Sequence, residues 1–502
     1  MDGIMEWFSL DAETILVVLV VVLALCLYQT TRLPRDFPPG PRPWPIVGNL
    51  IAIAKHPKRL HKYLAELAKQ YGPVVGMKLG SHPTIILCNY DVIKEAIVKK
   101  ADAFSHRPEF LHIYTKVTIR GGARRGLAWT DGEPWKETRR FSLMALRDFG
   151  LGKKSIEERI QEEGAVMCAE VLKASRKPFE ITTLSQQAVS NIICSICFGS
   201  RFEYTDPAFT KMMDLITYNF ATDLFTRAGN FFPWMKYLPF QDIQQILDNV
   251  KACLDWIAEL IRQHRETFDP DNIRDFVDLY IQKEREGQSE DSFLSADSMH
   301  RIIFDLFGAG TETTSTALRW LVLFMIRHPE IQNRCQDEID NAIGAGRQPS
   351  LSDRSKVPYV DATIRETLRF GNIAALAIPH KTEKETSVAG YRIPRNTLVF
   401  LNTYAVHMDP NYWEEPEKFN PDRWLGPDGK VEKNEAFMPF SVGPRYCVGQ
   451  TLAESELFIF FVMLLQQFNL KLVDPSQPPS MEGNMGITLV PQKYSFIAEP
   501  RI

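Results

Sequence analysis

Phe440-Ser-Val-Gly443-Pro-Arg445-Tyr-Cys447-Val-Gly449 leads straight into the apolar helical run that begins at Leu452. A cysteine just ahead of a helix receives backbone N–H groups at its sulfur and feels the positive end of the helix dipole. Both favour the thiolate, and coordination to a metal would complete the deprotonation. A cysteine in isolation reads more simply as an inert buried thiol. Here the neighbours argue otherwise. Gly443 and Gly449 let backbone approach a flat ring, and Arg445 is placed to meet a carboxylate.

Working outward, Glu366-Thr-Leu-Arg369 sets a carboxylate and a guanidinium at i, i+3 on one helical face, which alone would be a surface pair worth about 0.3–0.5 kcal/mol. Trp135 and Arg139 stand at i, i+4 on a helix that Asp131 can cap. Ile302 to Leu318 is apolar except for Asp305, Glu312 and several Ser/Thr residues. Within it, in Ala309-Gly310-Thr-Glu312-Thr313-Thr314, Thr313 can bond back to the Ala309 carbonyl. Gly310 weakens the helix locally, so a bend or groove is expected there.

Phe-x-x-Gly-x-Arg-x-Cys-x-Gly matches every fixed position of the cysteine loop of cytochromes P450, and three further signatures follow in order from Pro38 to the C-terminus. The chain therefore resembles that family, and most closely its animal microsomal family-two members. The resemblance implies haem b with Cys447 as the sulfur ligand of the iron. It also implies propionate contacts from Trp135, Arg139, Arg445 and His380, and a helix widened at Ala309-Gly310 where oxygen binds. Glu312 and Thr313 would deliver protons there, which fits chemistry that consumes protons in an apolar pocket. Glu366 and Arg369 would be buried and joined by Arg423 of Pro421-Asp-Arg423-Trp424, a structural lock. Asp422 and Trp424 depart from the commoner Glu and Phe.

The 502 residues are 45% hydrophobic and 24% charged, enough for a large core. Length alone suggests about three domains, yet no linker, low-complexity tract or fixed-period repeat divides the chain beyond residue 45. A net charge of −4 gives no argument for nucleic acid. The eight cysteines are scattered, unlike a secreted disulfide framework. Cys194 and Cys197 lack the partners of a zinc site and read as small core residues.

Thr14 to Tyr28 is uncharged and apolar, preceded by Asp2, Glu6, Asp11 and Glu13 and followed by Arg32, Arg35 and Arg42. It spans about 22 Å, short of a bilayer core of about 30 Å unless Met5 to Leu10 and the Leu33 region contribute. The positive side lies after the run, so the expectation is a retained anchor with its N-terminus lumenal and the rest cytosolic. Six prolines between Pro34 and Pro45 make a stiff spacer. The expected division is an anchor over 1–31, a proline-rich hinge over 32–48 and a catalytic domain over 49–502. Val74 to Leu79 and Thr84 to Leu87 read as strands followed by a helix near Asn89, most of 135 to 370 as helix, and Tyr391 to Thr403 as β again. The expected fold is mainly α with a small β-rich region, the cytochrome P450 fold behind a transmembrane helix.

No nucleotide-binding glycine fingerprint is present, so electrons must come from another protein. The family resemblance implies an endoplasmic-reticulum monooxygenase that takes NADPH-derived electrons from a reductase, with cytochrome b5 as a second donor. Lys136, Arg140, Arg147, Lys153 and Lys154 form the basic docking cluster this implies. The substrate would be an apolar fatty acid, steroid or xenobiotic, in a pocket lined from Ser105 to Gly126, near Phe220, from Phe304 to Thr313, from Asn372 to Ile378 and near Met485. Two rivals are an enzyme that rearranges peroxides and a haem-binding sensor or electron carrier. Intact Glu312 and Thr313 argue against both.

Overall fold

The computed structural model describes residues 12–112, 115–116, 119–120, 123–149, 154–222, 226–232, 234–235, 241–286 and 296–501. Asp2, Met5 to Asp11 and Lys153 lie outside the described residues. Ala12–Thr30 forms one helix, α1, whose 19 residues span about 28 Å. It is longer than the uncharged run itself, because Glu13 is accepted in the first turn. Its side chains are bare, Leu16 being 62% exposed, and Glu13–Thr30 has a mean hydropathy of 2.2. An apolar helix with no protein around it fits a bilayer rather than a core.

The proline-rich segment is fastened to the body it precedes. Gly76 N–H donates to Pro39 O at 2.8 Å, Arg392 N–H to Asp36 O at 3.0 Å, and Asn49 Nδ2 to Pro41 O at 3.1 Å. Beyond it, Val74–Leu79 (β1) and His82–Leu87 (β2) pair as an antiparallel hairpin. His380–Lys381 (β3) and Leu398–Leu401 (β4) complete a four-stranded sheet in the order β1-β2-β4-β3, with β2 and β4 parallel. Asn89 caps the helix after β2, its side chain accepting Val92 N–H. The late β-region stops earlier than its composition suggests. Asn402 accepts the Ala405 N–H at 3.1 Å, which turns Thr403–His407 into a short helix.

Helices frame the site: α2 (Gly132–Phe149), α3 (Thr182–Phe198), α4 (Pro207–Ala221), α5 (Ala296–Arg327), α6 (Pro358–Gly371) and α7 (Gln450–Gln467). Asp206 caps α4 by accepting the Ala208 and Phe209 N–H groups, with Pro207 in the first turn. At 32 residues α5 runs about 48 Å through the body, and α3 and α7 pack along it. Its buried hydroxyls find local partners, such as Ser190 Oγ with Thr311 Oγ1 at 3.0 Å. The helix is unbroken at Gly310. What Gly310 supplies is close packing, since a Cβ there would sit 2.8 Å from Ile193 Cδ1 of α3.

The pair on α6 is a core feature and not a surface one. Glu366 and Arg369 are fully buried. Arg369 donates to both Glu366 oxygens at 2.9 and 2.7 Å, and to the carbonyls of His407, Pro416 and Lys418. Glu366 also receives Arg423 Nε at 3.2 Å, Asn420 N–H at 3.0 Å and Trp424 Nε1 at 3.0 Å. The tryptophan therefore adds an indole donor to the lock. The meander over 407–424 is held from inside by charge-assisted bonds.

Candidate active site

Cys447 lies between the meander and α7, with its N–H donating to Phe440 O at 3.0 Å. The Gly449 and Gln450 N–H groups at the start of α7 point at its sulfur. Those donors and the nearby Arg139 guanidinium favour the anion, but burial outweighs them and pushes the thiol above its ordinary range. The helix start alone therefore does not make a thiolate. A metal would have to complete it.

The cysteine side chain is accessible although protein surrounds it densely. Ala309 is likewise exposed at mid-length of α5, between the buried Gly308 and Thr311. Accessible surface deep inside a body belongs to an internal space. Gly449 leaves that space open, because a Cβ there would meet only Cys447 Sγ, at 3.9 Å. Gly443 serves a different purpose from the expected one: its φ is +74°, and a Cβ would lie 2.3 Å from the Ile97 carbonyl.

Cations gather on one side of this space. Arg445 lies 3.9 Å over the Trp135 ring, and donates to Ser105 O at 2.9 Å, Thr130 O at 2.8 Å and Asp131 Oδ1 at 2.6 Å. Arg139 sits 5.8 Å from the same indole and 4.6 Å from the Tyr446 ring, with Nη2 donating to Tyr446 O at 2.8 Å. Arg107 is buried and donates to the Ala128, Ile378 and Pro379 carbonyls. Burial lowers its pKa to about 10, which still leaves it charged at neutral pH. Among the described residues Arg445, Arg139 and Arg107 gather here beside the Asp131 carboxylate, and this positive charge is what the two propionates of a haem would match. A single sulfur donor, an internal space and this charge fit an iron porphyrin.

His380 is buried on β3, with Nδ1 3.0 Å from Phe104 O. A carbonyl only accepts, so Nδ1 carries the proton. Burial, with Arg107 and Arg445 close by, pushes the ring pKa well below its ordinary value. The neutral ring then presents a lone pair at Nε2, and a propionate could be held there only by a second proton. Asp131, expected as a helix cap, precedes α2 and receives the Arg107 backbone N–H at 3.0 and 3.1 Å besides Arg445.

On the α5 side, Thr313 Oγ1 donates to Ala309 O at 2.7 Å, as its spacing suggests. Glu312 is buried against α3, where Gln186 Nε2 donates to it at 3.0 Å. Burial raises its pKa to about 7, and Arg319, Gln186 and Thr316 limit the rise. A carboxyl poised near neutrality can both give and take a proton. Asp305 accepts the Leu127 and Ala128 N–H groups at 2.8 and 3.0 Å, tying the segment before α2 to α5.

Sequence reasoning missed Arg107, Tyr446 and Gln186. Arg107 and Gln186 act on partners far along the chain and belong to no local pattern. Tyr446 sits inside the cysteine loop, at a position the motif leaves free. Among the described residues one other group could gather metal-ligating atoms: His264, Asp275 and Asp278. Arg274 already donates to both oxygens of Asp278 and His264 lies 2.9 Å from Asp275, so the trio is a satisfied ion-pair staple. Cys194 and Cys197 are buried free thiols, pushed up by burial.

The cytochrome P450 family model matches residues 38–498. Cytochrome P450 2J2 of Homo sapiens is 39% identical over 505 residues, covering 99% of this chain and 98% of that protein. Cytochrome P450 2B2 of Rattus norvegicus is 38% identical over 497 residues (97% and 99%), and cytochrome P450 2B19 of Mus musculus 41% over 468 (92% and 93%). An accessible thiol within the body, cations for a carboxylate-bearing ring and relatives aligned nearly end to end agree: this chain belongs to the cytochrome P450 family and is a haem-thiolate monooxygenase.

Proposed function

We propose that the protein inserts one atom of O2 into an apolar fatty acid, steroid or xenobiotic, using NADPH-derived electrons from a reductase, with cytochrome b5 as an auxiliary donor. In this reading Cys447 ligates the haem iron, while Arg445, Arg139 and Trp135 hold the propionate edge, joined by His380 when its second ring nitrogen takes a proton. When bound, the haem supplies oxygen activation, and the sulfur donor pushes electron density that favours O–O cleavage, as in cytochromes P450 generally. Glu312 holds and releases a proton in an otherwise apolar interior, and Thr313 presents a hydroxyl to the internal space. Residues 1–31 anchor the protein in the endoplasmic-reticulum membrane, 32–48 lead to the body, and 49–502 form a cytosol-facing catalytic domain. Lys136, Arg140 and Arg147 on α2 offer the electron donor a basic face.

The observation that carries this reading is a buried acid poised at about pH 7 next to a partly exposed threonine whose hydroxyl bonds back to the accessible Ala309. Electron carriers and sensors need no such pair. The test is Thr313→Ala with reductase and substrate present. NADPH consumption should continue, product per NADPH should fall at least about tenfold, and hydrogen peroxide should account for the difference. An unchanged ratio removes Thr313 from the reaction, and no NADPH use by either protein favours peroxide rearrangement.

A further inference from the structure

Glu312 and Thr313 are adjacent in sequence but leave α5 on different faces. Thr313 is partly exposed and bonds back to the Ala309 carbonyl, whereas Glu312 is buried on the α3 side. There Gln186 Nε2 donates to Glu312 Oε2 at 3.0 Å, and Thr316 Oγ1 lies 3.5 Å from Oε1. The same Nε2 donates to Thr217 Oγ1 of α4 at 2.7 Å. One buried amide thus spans a titratable carboxyl and a hydroxyl carried by two other helices.

A buried carboxylate needs donors, and a buried carboxylic acid needs an acceptor for its O–H. A glutamine amide serves both needs. Its NH2 donates to the anion and, turned over, its carbonyl accepts from the acid. Thr217 follows either way, because a hydroxyl both accepts and donates. With Nε2 inward the amide donates to Glu312 and to Thr217. With Oε1 inward it would accept from both, so Glu312 and Thr217 keep a partner in either charge state.

We propose that Gln186, oriented by Thr217, is a positioning pair that lets Glu312 take up and release its proton inside the core. The proposal deepens the reading of Glu312 as the proton-carrying acid and rests on it. Arg319, on the same helix, is the charge that acts on Glu312 among the described residues. From α7, Glu456 is bonded instead to Thr314. Gln186 is thus the donor from a neighbouring helix that helps set the Glu312 midpoint.

The experiment is an infrared pH titration of the full-length, haem-loaded protein, following the carboxylic C=O band that disappears in Glu312→Gln, with product per NADPH measured across the same pH range. Gln186→Leu should move the band midpoint up by about one pH unit, the worth of one bond to a charged group, and the coupling profile with it. Thr217→Val should move both in the same direction by less. Gln186→His, which restores an N–H donor, should bring them back toward wild type. A purely structural role would lower haem content and leave the midpoint in place. A haem-replete Gln186→Leu with an unmoved midpoint overturns the proposal. If that variant fails to load haem, an unmoved midpoint in Thr217→Val does so. Glu312→Gln keeping full coupling, while Gln186→Leu still moves the band, would remove the proton-carrying role and leave the positioning pair standing.

Discussion

The meander around α6 and the middle of α5 both bury a glutamate, and they treat it in opposite ways. Glu366 receives two bonds from Arg369 and one each from Arg423, Asn420 and Trp424. Glu312 receives one amide N–H and one long contact from Thr316. The first is paired with a buried guanidinium and saturated with donors, so it is held in one place. The second is under-supplied with donors, so burial dominates and its proton is held to about pH 7. Support for the cysteine loop calls for a carboxyl fixed by many partners. Proton handling calls for one that can change state.

The largest expected effect comes from breaking the saturated side. Glu366→Ala leaves the buried Arg369 without its counter-charge, a loss of about 3–5 kcal/mol. The protein should accumulate without haem or fail to fold, read as haem per chain together with thermal unfolding. Normal haem content in this variant would mean that the meander does not depend on the pair.

Glu312→Gln probes the under-supplied side and should stabilise rather than destabilise. The ordinary carboxyl pKa of 4.5 rises to about 7 in the folded protein. The folded state therefore binds the proton more tightly, and the stability from the neutral acid is fully present below pH 4.5 and lost as pH rises through 7. The variant, which never charges, should match wild type at pH 4.5 and exceed it by about 3 kcal/mol above pH 7. A stability gap independent of pH would contradict the raised pKa.

The smallest effect sharpens the comparison within the meander itself. Trp424 Nε1 donates to the Glu366 carboxylate at 3.0 Å, whereas Trp413 Nε1 donates to the Val406 carbonyl at 3.1 Å. Both indoles are buried. Replacing each with Phe removes a donor from a charged acceptor in one case and from a neutral one in the other. Trp424→Phe should cost more than Trp413→Phe by about 1 kcal/mol in equilibrium unfolding, since bonds to charged groups are the stronger. Equal costs would mean that the tryptophan at this position adds packing only.

Much of this arrangement is legible in the sequence where it is local. The Cys447 loop, the i, i+3 spacing of Glu366 and Arg369, and the i−4 bond of Thr313 are all set by short-range geometry. So is the apolar run that becomes α1. What spacing does not carry is burial and distant partners. Glu366 and Arg369 look like a surface pair until the meander closes over them. The positive charge at the ring edge depends on Arg107, which reaches carbonyls more than 270 residues away. Gly310 and Gly443 prove to be packed against Ile193 and Ile97, contacts no local pattern announces. Asn402 ends the β-stretch over Leu398–Leu401 early through a cap that composition understates.

The central claim is that the accessible thiol of Cys447 is the sulfur ligand of a haem. The direct measurement is the absorbance difference spectrum of the reduced protein with and without carbon monoxide, for wild type and for Cys447→Ala loaded with haem. An anionic sulfur opposite the gas produces the strongly red-shifted Soret band of cytochromes P450. Wild type should show that band, and Cys447→Ala should lose it while keeping bound haem. A folded Cys447→Ala that retains the red-shifted band would contradict the assignment.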